Sequence, residues 1–261
     1  MKTTKMWGII PAAGKGSRIQ PLAFSKELLP VGGWQDQGTE RPRAVSEYIV
    51  ERMILGGASK ICFVVAPSKS DILEYYGTRE LAAEVCFVVQ PKPVGLCDAI
   101  FRALPVLAAD DNVCIGLPDT IWFPADALLA LPDGEFTFLT FPVDKPEFFD
   151  AVVTDDARRI CRIEVKHAKP SSSHIWGAFK MSGITFRKLH DLWLARDRQD
   201  EYVGTLVNAY IEGGGAAYEI PAGELYMDIG TLEGYRQAVG SLRSSTGTQP
   251  VMKKGVISPV P

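Results

Sequence analysis

The chain has 261 residues, of which 46% are hydrophobic and 23% charged, a composition typical of a globular protein and unlike that of a disordered or membrane-spanning one. Its 28 basic and 31 acidic residues give a formal net charge of −3, which argues against a broad nucleic-acid-binding surface. We therefore expect no nucleic-acid partner and no membrane association, and any site for a phosphate group has to be local.

The N-terminal segment shares one feature with a secretory signal, because basic residues precede a short apolar run. That run, residues 7–13, contains Gly8 and Pro11 and continues directly into Gly14-Lys15-Gly16, so it predicts a buried first strand instead. The cysteines form no CxxC pair, and we expect buried, reduced thiols at all of these positions. They are Cys62, Cys86, Cys97, Cys114 and Cys161. The sequence therefore predicts a cytoplasmic protein.

Apolar, strand-like runs alternate with helical patterns through the first part of the chain. The runs cover residues 7–10, 61–66, 85–89, 113–117 and 136–141, and the helical patterns cover residues 45–56, 96–107 and 125–131. Strands that alternate with helices predict βαβ crossovers and a mostly parallel, doubly wound sheet that is covered on both faces. We expect a ligand site beyond the carboxyl ends of these strands.

The pattern changes after residue 145. Strand-like segments at 151–154, 160–165 and 175–181 predict a small β subregion, with a hairpin turn at residues 155–158. The remaining elements are helices at 184–196 and 203–212, a strand at 217–220, a segment at 225–229 and a helix at 231–242. Residues 243–261 show little periodicity and predict a loosely held tail. Because no linker or repeat is found, we expect a single α/β domain over residues 1–261.

The most informative segment is the loop of residues 11–18, which directly follows the first strand. Gly14 and Gly16 allow backbone N–H groups to approach phosphate oxygens, because no Cβ atom stands in the way. Arg18 and Lys26 would add positive charge, although a plain βα turn with two surface cations remains an alternative. Neither GxxxxGK[ST] nor a complete GxGxxG motif is present, which disfavours an NAD-dependent oxidoreductase.

This loop and the motif that follows it resemble the sugar nucleotidyltransferase family, which includes glucose-1-phosphate thymidylyltransferases and uridylyltransferases. The family pattern reads roughly GxGTRLxP, followed by a lysine before Leu-Leu-Pro. It stands here as Gly14-Lys15-Gly16-Ser17-Arg18-Ile19-Gln20-Pro21 and Ser25-Lys26-Glu27-Leu28-Leu29-Pro30. The resemblance covers about residues 7–240. It implies a Rossmann-like nucleotidyltransferase fold, with a nucleotide-binding half at 7–145 and a sugar-phosphate-binding half at 146–242.

The resemblance also implies a role for individual residues and a requirement for Mg²⁺. The residues that would bind the nucleoside triphosphate are Ala12, Ala13, Gly14, Gly16, Ser17, Arg18, Lys26, Gln90, Gly95 and Asp119, with Gln90 and Gly95 at the base. Asp119 and Asp228 would hold the metal, and Lys166 would hold the sugar phosphate. Asp119 ends an apolar strand-like run, and two carboxylates with substrate oxygens suit Mg²⁺.

The reaction that these roles imply is a direct displacement. A phosphate oxygen of the sugar 1-phosphate attacks the α-phosphorus of the triphosphate, and pyrophosphate leaves in line. The nucleophile is already anionic, so no general base is needed, and the protein has to align two anions and stabilise developing charge. The predicted catalytic residues are Arg18, Lys26, Asp119, Lys166 and Asp228.

The motifs do not agree on the nucleotide base. Ser25-Lys26 is typical of the thymidylyl branch of the family, whereas Glu27 and Leu117-Pro118-Asp119 are typical of the uridylyl branch. The compact length favours dTTP, with UTP- or CTP-dependent transfer to another sugar phosphate as an alternative. A regulatory module that binds nucleotides without turnover is a further alternative. The oligomeric state stays open, a homo-oligomer included.

The sugar side departs further from the family pattern, although glucose 1-phosphate is the expected substrate. A Tyr-Gly pair and a glutamate before the lysine are usual, whereas Phe149-Asp150 and Val165 stand here. Asp150 would accept a hydrogen bond from a sugar hydroxyl, with a solvated turn residue as the alternative. Trp176 would stack on the sugar, with core packing as its alternative. The stretch 32–43 would be a mobile lid or a surface loop.

Overall fold

The computed structural model describes residues 5–36, 38–243 and 257–258. The strands are β1 (Met6–Pro11), β2 (Pro30–Asp36), β3 (Thr39–Ala44), β4 (Lys60–Val65), β5 (Glu80–Leu81), β6 (Glu84–Val89), β7 (Asn112–Gly116), β8 (Thr120–Phe123), β9 (Thr137–Pro142), β10 (Ala151–Thr154), β11 (Ile160–Glu164), β12 (His174–Ser182), β13 (Tyr218–Ile220), β14 (Leu225–Asp228) and β15 (Ile257–Ser258). The α-helices are α1 (Val45–Leu55), α2 (Ser70–Gly77), α3 (Leu96–Phe101), α4 (Gly183–Ala195), α5 (Val203–Glu212) and α6 (Leu232–Arg243). Most of the predicted tail, 243–261, lies outside the described residues; β15 pairs with β5.

Nine strands of the described chain form one sheet in the order β11-β10-β12-β7-β1-β4-β6, with β9 beside β12 and β13 beside β9. The central strands β7, β1, β4 and β6 run parallel. Strands β9, β10, β11 and β12 join by antiparallel pairing. Every residue of β1 and β7 is buried, as expected for strands of a parallel sheet with helices on both faces. The predicted α/β fold with a β subregion after residue 145 is confirmed.

Helices cover the sheet on both faces, as the doubly wound pattern predicted. On one face α3 and α4 bring Phe101, Phe186 and Trp193 into a buried cluster with strand residues, which α5 completes. On the other face α1 and α2 contribute Met53 and Tyr76 to a second cluster. With both faces covered, the carboxyl ends of the parallel strands are left as the place for a ligand.

A third apolar cluster holds a small two-stranded sheet beside the central one. Strands β14 and β8 pair antiparallel, so that Asp228 lies opposite Thr120. Helix α6 and strand β2 pack against this pair, with Ala238, Val31 and Ile121 in the shared cluster. The pairing brings the end of β14 next to the loop that follows β7.

Two predicted helices are shorter than expected. The helix predicted over 96–107 ends at Phe101, because Pro105 lacks an N–H group and its ring would clash with the carbonyl oxygen of residue 101. The helix predicted over 125–131 is a single 3₁₀ turn. Pro132 follows it and disfavours the α conformation at the residue before it.

The stretch 32–43, which the sequence left as a lid or a surface loop, lies within a β-hairpin formed by β2 and β3. Trp34 pairs with Arg41, and Gly33 pairs with Pro42. The sequence also gave no signal for α2, a short helix that buries Ile72 and Tyr76 but leaves most of its surface exposed.

The expectation of uniformly buried cysteines was wrong at one position. Cys62, Cys97 and Cys114 are buried and Cys86 is partly buried, but Cys161 is exposed. Cys161 lies on β11, the terminal strand of the sheet, at a register shift where Thr154 pairs with Ile160 and Val153 with Arg162, so that Cys161 has no opposite residue on β10. Among the described residues, no helix has the length and apolar character needed to cross a lipid bilayer.

Candidate active site

The loops after β1, β6 and β7 carry the predicted triphosphate-binding residues and begin at neighbouring strand ends. The N–H group of Ala12 donates to the carbonyl oxygen of Val64 at 2.7 Å, and that of Gln90 donates to Val65 at 2.9 Å. The ends of β1 and β6 are thereby tied to the strand between them. Parallel strands that end at one edge place their loops side by side, as the sequence predicted.

The predicted phosphate loop is buried where it leaves β1 and open further on. Ala12 and Ala13 are buried, whereas Gly14 and Ser17 are exposed. Gly16 adopts a φ of +64°, and a Cβ atom built on it would lie 2.7 Å from Cδ of Lys26. The loop therefore needs glycine at position 16 both for its backbone conformation and for the close approach of the lysine side chain.

Lys26 and Asp119 form a close ion pair in which Nζ lies 2.5 Å from Oδ2. Burial lowers the pKa of Lys26, but the charges of Asp119 and Glu27 outweigh it and leave the pKa above its ordinary value. Burial likewise raises the pKa of Asp119, and Lys26 reverses this, so that the net shift is downward. Both groups are therefore charged near neutral pH.

Asp119, Asp228 and Arg18 converge beside Gly230. A Cβ atom built on Gly230 would lie 2.9 Å from Oδ1 of Asp228 and 3.0 Å from both Oδ2 of Asp119 and Nη2 of Arg18. The N–H group of Gly230 also donates to Oδ1 of Asp228 at 2.8 Å. A side chain at position 230 would occupy the space that these three charged groups share.

The two carboxylates suit a divalent cation that is shared with a substrate. Burial raises the pKa of Asp228, and the charge of Asp119 raises it further. A cation between the two side chains would relieve this repulsion, and Mg²⁺ prefers one or two carboxylates completed by phosphate oxygens. No group of three or more potential His, Cys, Asp or Glu ligands occurs in the part of the chain that the structure describes. The pair therefore fits Mg²⁺ bound together with a phosphate rather than a closed protein cage.

A cleft of about 120 Å³ brings most of the predicted charged residues together. Its lining comprises Arg18, Leu117, Asp119, Thr120, Phe148, Phe149, Asp150, Lys166, Trp176, Tyr226 and Asp228. Lys166 thus lines the same cleft as the two carboxylates, whereas Lys169, a second lysine three positions further along the chain, does not. The structure therefore places Arg18, Asp119, Lys166 and Asp228 in one cleft. Lys26 does not line the cleft, but it forms an ion pair with Asp119, which does.

Asp150 and Lys166 interact at the mouth of the β10–β11 hairpin. The N–H group of Lys166 donates to Oδ1 of Asp150 at 3.3 Å, and its Nζ lies 4.0 Å from the same oxygen. Burial raises the pKa of Asp150, which the charge of Lys166 only partly offsets. Asp150 is therefore not the solvated turn residue that the sequence allowed, because its side chain is only 10% exposed.

Trp176 packs in the core, as one of its two sequence-based alternatives proposed, whereas stacking on a sugar stays a prediction. It is 7% exposed and packs edge to face on Phe179 in the first apolar cluster, with ring centroids 5.6 Å apart. It also lines the cleft, where its buried indole N–H is close enough to the carboxylate of Asp150 to lower the pKa of that group, but it meets no acceptor at full hydrogen-bond geometry among the described residues. A buried donor of this kind is costly unless a ligand or water accepts its hydrogen bond.

The predicted base-binding residues lie together at the end of β6. Gln90 is 2% exposed, and its Nε2 donates to Oδ2 of Asp98 at 2.7 Å and to the carbonyl oxygen of Gly95 at 3.2 Å. Gly95 has a φ of +114°, and a Cβ atom on it would lie 3.0 Å from Cα of Glu201. Glycine is required at this position, and its backbone is held close to the amide of Gln90.

Sequence reasoning missed a lysine that lies beneath the phosphate loop. Nζ of Lys69 donates to both carboxylate oxygens of Glu27, at 2.7 and 2.8 Å, and to the carbonyl oxygen of Ala12 at 2.8 Å. From the sequence, Glu27 is only a residue typical of the uridylyl branch of the family. Lys69 lies in a turn after β4, and nothing in the surrounding sequence indicates that it reaches the loop.

A family model described as nucleotidyl transferase matches residues 7–245. The chain belongs to the nucleotidyl transferase family. Several proteins named as glucose-1-phosphate thymidylyltransferases match almost the whole of this chain. The glucose-1-phosphate thymidylyltransferase of Neisseria meningitidis is 26% identical over 259 residues, which cover 94% of this chain and 85% of the relative. The enzyme of the same name from Mycolicibacterium smegmatis is 24% identical, covering 92% and 83%.

Solved structures with a similar fold include proteins named as sugar nucleotidyltransferases. A putative glucose-1-phosphate thymidylyltransferase from Bacillus anthracis superposes with a TM-score of 0.74 at 22% identity, covering 94% of this chain and 98% of that chain. A UTP-bound UGPase from Acinetobacter baumannii gives a TM-score of 0.70 at 18% identity, covering 92% and 93%. These likenesses confirm the fold, and the family match confirms the recognition made from the loop motifs.

Proposed function

We propose that this nucleotidyl transferase joins a nucleoside triphosphate, with dTTP favoured, to a sugar 1-phosphate, with glucose 1-phosphate favoured, and releases pyrophosphate. The observation that carries the proposal is the convergence of Asp119, Asp228 and Arg18 on one point, in a cleft that Lys166 also lines. Two carboxylates and two cations around one space suit the meeting of two phosphate groups. The matched relatives named as thymidylyltransferases support the choice of dTTP and glucose 1-phosphate.

In this proposal the residues of the cleft align two anions. Arg18, Lys26 and the N–H groups of residues 12–17 bind the triphosphate, and Lys166 holds the phosphate of the sugar. Asp119 and Asp228 hold Mg²⁺, which when bound supplies positive charge to the phosphates. The attacking phosphate oxygen is already ionised, so the contribution of the protein is alignment and charge compensation, without a proton acceptor.

The two ends of the substrates would be recognised on opposite sides of this centre. Gln90 and Gly95 meet the base in the half that comprises residues 7–145. Asp150 and Trp176 meet the sugar in the half that comprises residues 146–242, since one offers a buried acceptor and the other a buried donor. The two halves would act as one domain because the cleft is lined from both.

The test is pyrophosphate release in a matrix of five nucleoside triphosphates and several sugar 1-phosphates with Mg²⁺. We expect dTTP and UTP to be used well ahead of ATP and GTP, and glucose 1-phosphate to be among the accepted sugars. A preference for a purine triphosphate would contradict the pyrimidine assignment. Absence of pyrophosphate release in every combination would contradict the proposed reaction.

A further inference from the structure

We propose that Asp98 is a positioning residue for base selection: it fixes the side-chain amide of Gln90 so that Oε1 faces the base, which favours thymine or uracil over cytosine. The inference rests on the proposed function, in which Gln90 and Gly95 meet the base. It adds a residue that contacts no substrate but decides which group Gln90 presents.

The surroundings of Gln90 determine the orientation of its amide. Asp98 is 5% exposed, and its carboxylate only accepts hydrogen bonds when ionised. The carbonyl oxygen of Gly95, the other partner, also only accepts. With Oε1 turned towards these two acceptors, three oxygens would face one another, so Nε2 has to occupy that side. Oε1 therefore points away from both.

Arg102 holds the carboxylate of Asp98 in place one helical turn further along. Its Nη2 donates to Oδ1 of Asp98 at 2.9 Å, and its Nε donates to Oδ2 at 3.2 Å. Both oxygens of Asp98 are thereby occupied, and the carboxylate has little freedom to rotate. Arg102 thus orients the carboxylate of Asp98, and Asp98 in turn orients the side-chain amide of Gln90.

Two groups remain to meet a base. Oε1 of Gln90 accepts no hydrogen bond among the described residues. It is also absent from the fully buried polar atoms that lack a partner, so this oxygen is open to a ligand. The N–H group of Gly95 likewise donates no hydrogen bond to another described backbone group. The protein therefore presents one acceptor and one donor at the position proposed for the base.

This pair matches thymine and uracil without any shift of the ring. Both bases carry an N3–H donor between two carbonyl acceptors, so Oε1 of Gln90 accepts from N3 while the N–H of Gly95 donates to a neighbouring carbonyl. Cytosine carries an acceptor at N3. It would match only after sliding by one ring position, which would displace its ribose and phosphates from the loop at residues 12–18.

The test compares two pairs of nucleotides, and the members of each pair differ only at positions 3 and 4 of the base. The substrates are dTTP against 5-methyl-dCTP, and UTP against CTP, each with Mg²⁺ and the sugar 1-phosphate that is used best. We expect the wild type to favour the thymine and uracil nucleotides at least about tenfold in kcat/KM. Equal use of both members of each pair by the wild type would overturn the proposal.

The variant Asp98→Ala removes the charged acceptor, so the wild-type preference should fall about tenfold or more. Asp98→Asn, which keeps an acceptor oxygen, should retain most of it. Arg102→Ala removes the ion pair that orients the Asp98 carboxylate but leaves the acceptor that Gln90 uses, so the preference should fall by less than in Asp98→Ala. A structural role alone would lower activity with all four nucleotides and leave the ratios unchanged.

The matched control is Glu219→Ala, because Glu219 is another buried carboxylate paired with a partly exposed arginine, Arg158. Melting temperatures establish that each variant is folded. Glu219→Ala should lose stability without any change in base preference. If the wild type prefers dTTP and UTP but Asp98→Ala keeps the full preference, the inference falls and the proposed function stands. If no triphosphate supports pyrophosphate release, the proposed function itself fails.

Discussion

Asp119 and Asp228 share one site, yet their surroundings shift their pKa values in opposite directions. Lys26 keeps the pKa of Asp119 low despite its burial, whereas burial and the charge of Asp119 raise that of Asp228. Asp119 is thus a paired charge, and Asp228 is a carboxylate whose ionised form lacks full compensation in the free protein. This difference separates the two residues in their effect on stability, although we assign both the same role in catalysis.

Replacing either aspartate by asparagine should reduce turnover about 10²-fold or more, because each change removes charge that would act on the reacting phosphates. Asp119→Asn should also lower the melting temperature, since Lys26 would lose its ion pair. Asp228→Asn should leave the melting temperature unchanged or raise it. Steady-state kinetics and thermal unfolding of the two variants check both parts. Turnover near that of the wild type in Asp119→Asn would contradict the metal assignment.

Lys166 allows a second prediction at the scale of a single residue. If it holds the sugar 1-phosphate, Lys166→Ala should weaken the apparent affinity for that substrate and reduce turnover by about ten- to 150-fold, since a charge-assisted contact contributes roughly 1.5 to 3 kcal/mol. Binding of the triphosphate should hardly change, because the proposed function assigns those contacts to Arg18 and Lys26. Calorimetric titration with the triphosphate, together with kinetics in the sugar phosphate, measures both effects.

Lys169→Ala is the matched control for this experiment. Lys169 lies three positions further along the chain and carries the same charge, but it does not line the cleft. We expect it to behave like the wild type. A defect in Lys169→Ala with a silent Lys166→Ala would transfer the role to Lys169, and two silent variants would contradict the proposed sugar-phosphate site.

At the scale of elements, the phosphate loop depends on a buried ion pair that belongs to two other segments. Glu27 follows Lys26, a proposed catalytic residue, and Lys69 connects Glu27 to the carbonyl oxygen of Ala12 at the end of β1. Burial lowers the pKa of Lys69 and raises that of Glu27, so each charge depends on the other for compensation. The pair thereby fixes the beginning of the loop relative to Lys26.

Lys69→Met should therefore destabilise the protein by about 3 to 5 kcal/mol, because it leaves the carboxylate of Glu27 buried without a partner. Adding Glu27→Gln should recover part of that loss, which a urea unfolding series on the single and double variants would show. The control is Lys60→Met, since Lys60 forms its ion pair with the exposed Glu84 and its removal should change stability little. An equal, small effect of both lysine variants would contradict the structural role of Lys69.

At the scale of the whole molecule, the site is assembled from distant parts of the chain. Asp119 follows the parallel strand β7, whereas Asp228 ends β14, which reaches it by pairing with β8. Lys166 comes from the hairpin of β10 and β11 in the antiparallel part of the sheet. Residues from the two parts of the chain line one cleft because β12 pairs directly with β7 and joins the two parts into one continuous sheet.

The sequence by itself determined the parallel core, and it predicted a ligand site at the carboxyl ends of these strands. Buried parallel strands require near-continuous apolar runs, and such runs with helices between them have few other arrangements. It also indicated the phosphate loop, because glycines at positions 14 and 16 have a specific steric reason to follow a strand there. Helix ends were less predictable, as Pro105 shows, since the period of apolar residues continues past the point where the backbone can follow it.

Only the tertiary structure decided which groups share a charge environment. The Lys69–Glu27 and Gln90–Asp98 contacts, and the meeting of Asp119 with Asp228, involve side chains whose local sequence is ordinary. Periodicity shows which face of an element is buried, but it does not show which polar atom will oppose another across separate loops. Burial makes such pairings obligatory, because a buried charge or amide without a partner is costly, and the partner is chosen by the fold rather than by neighbours in the chain.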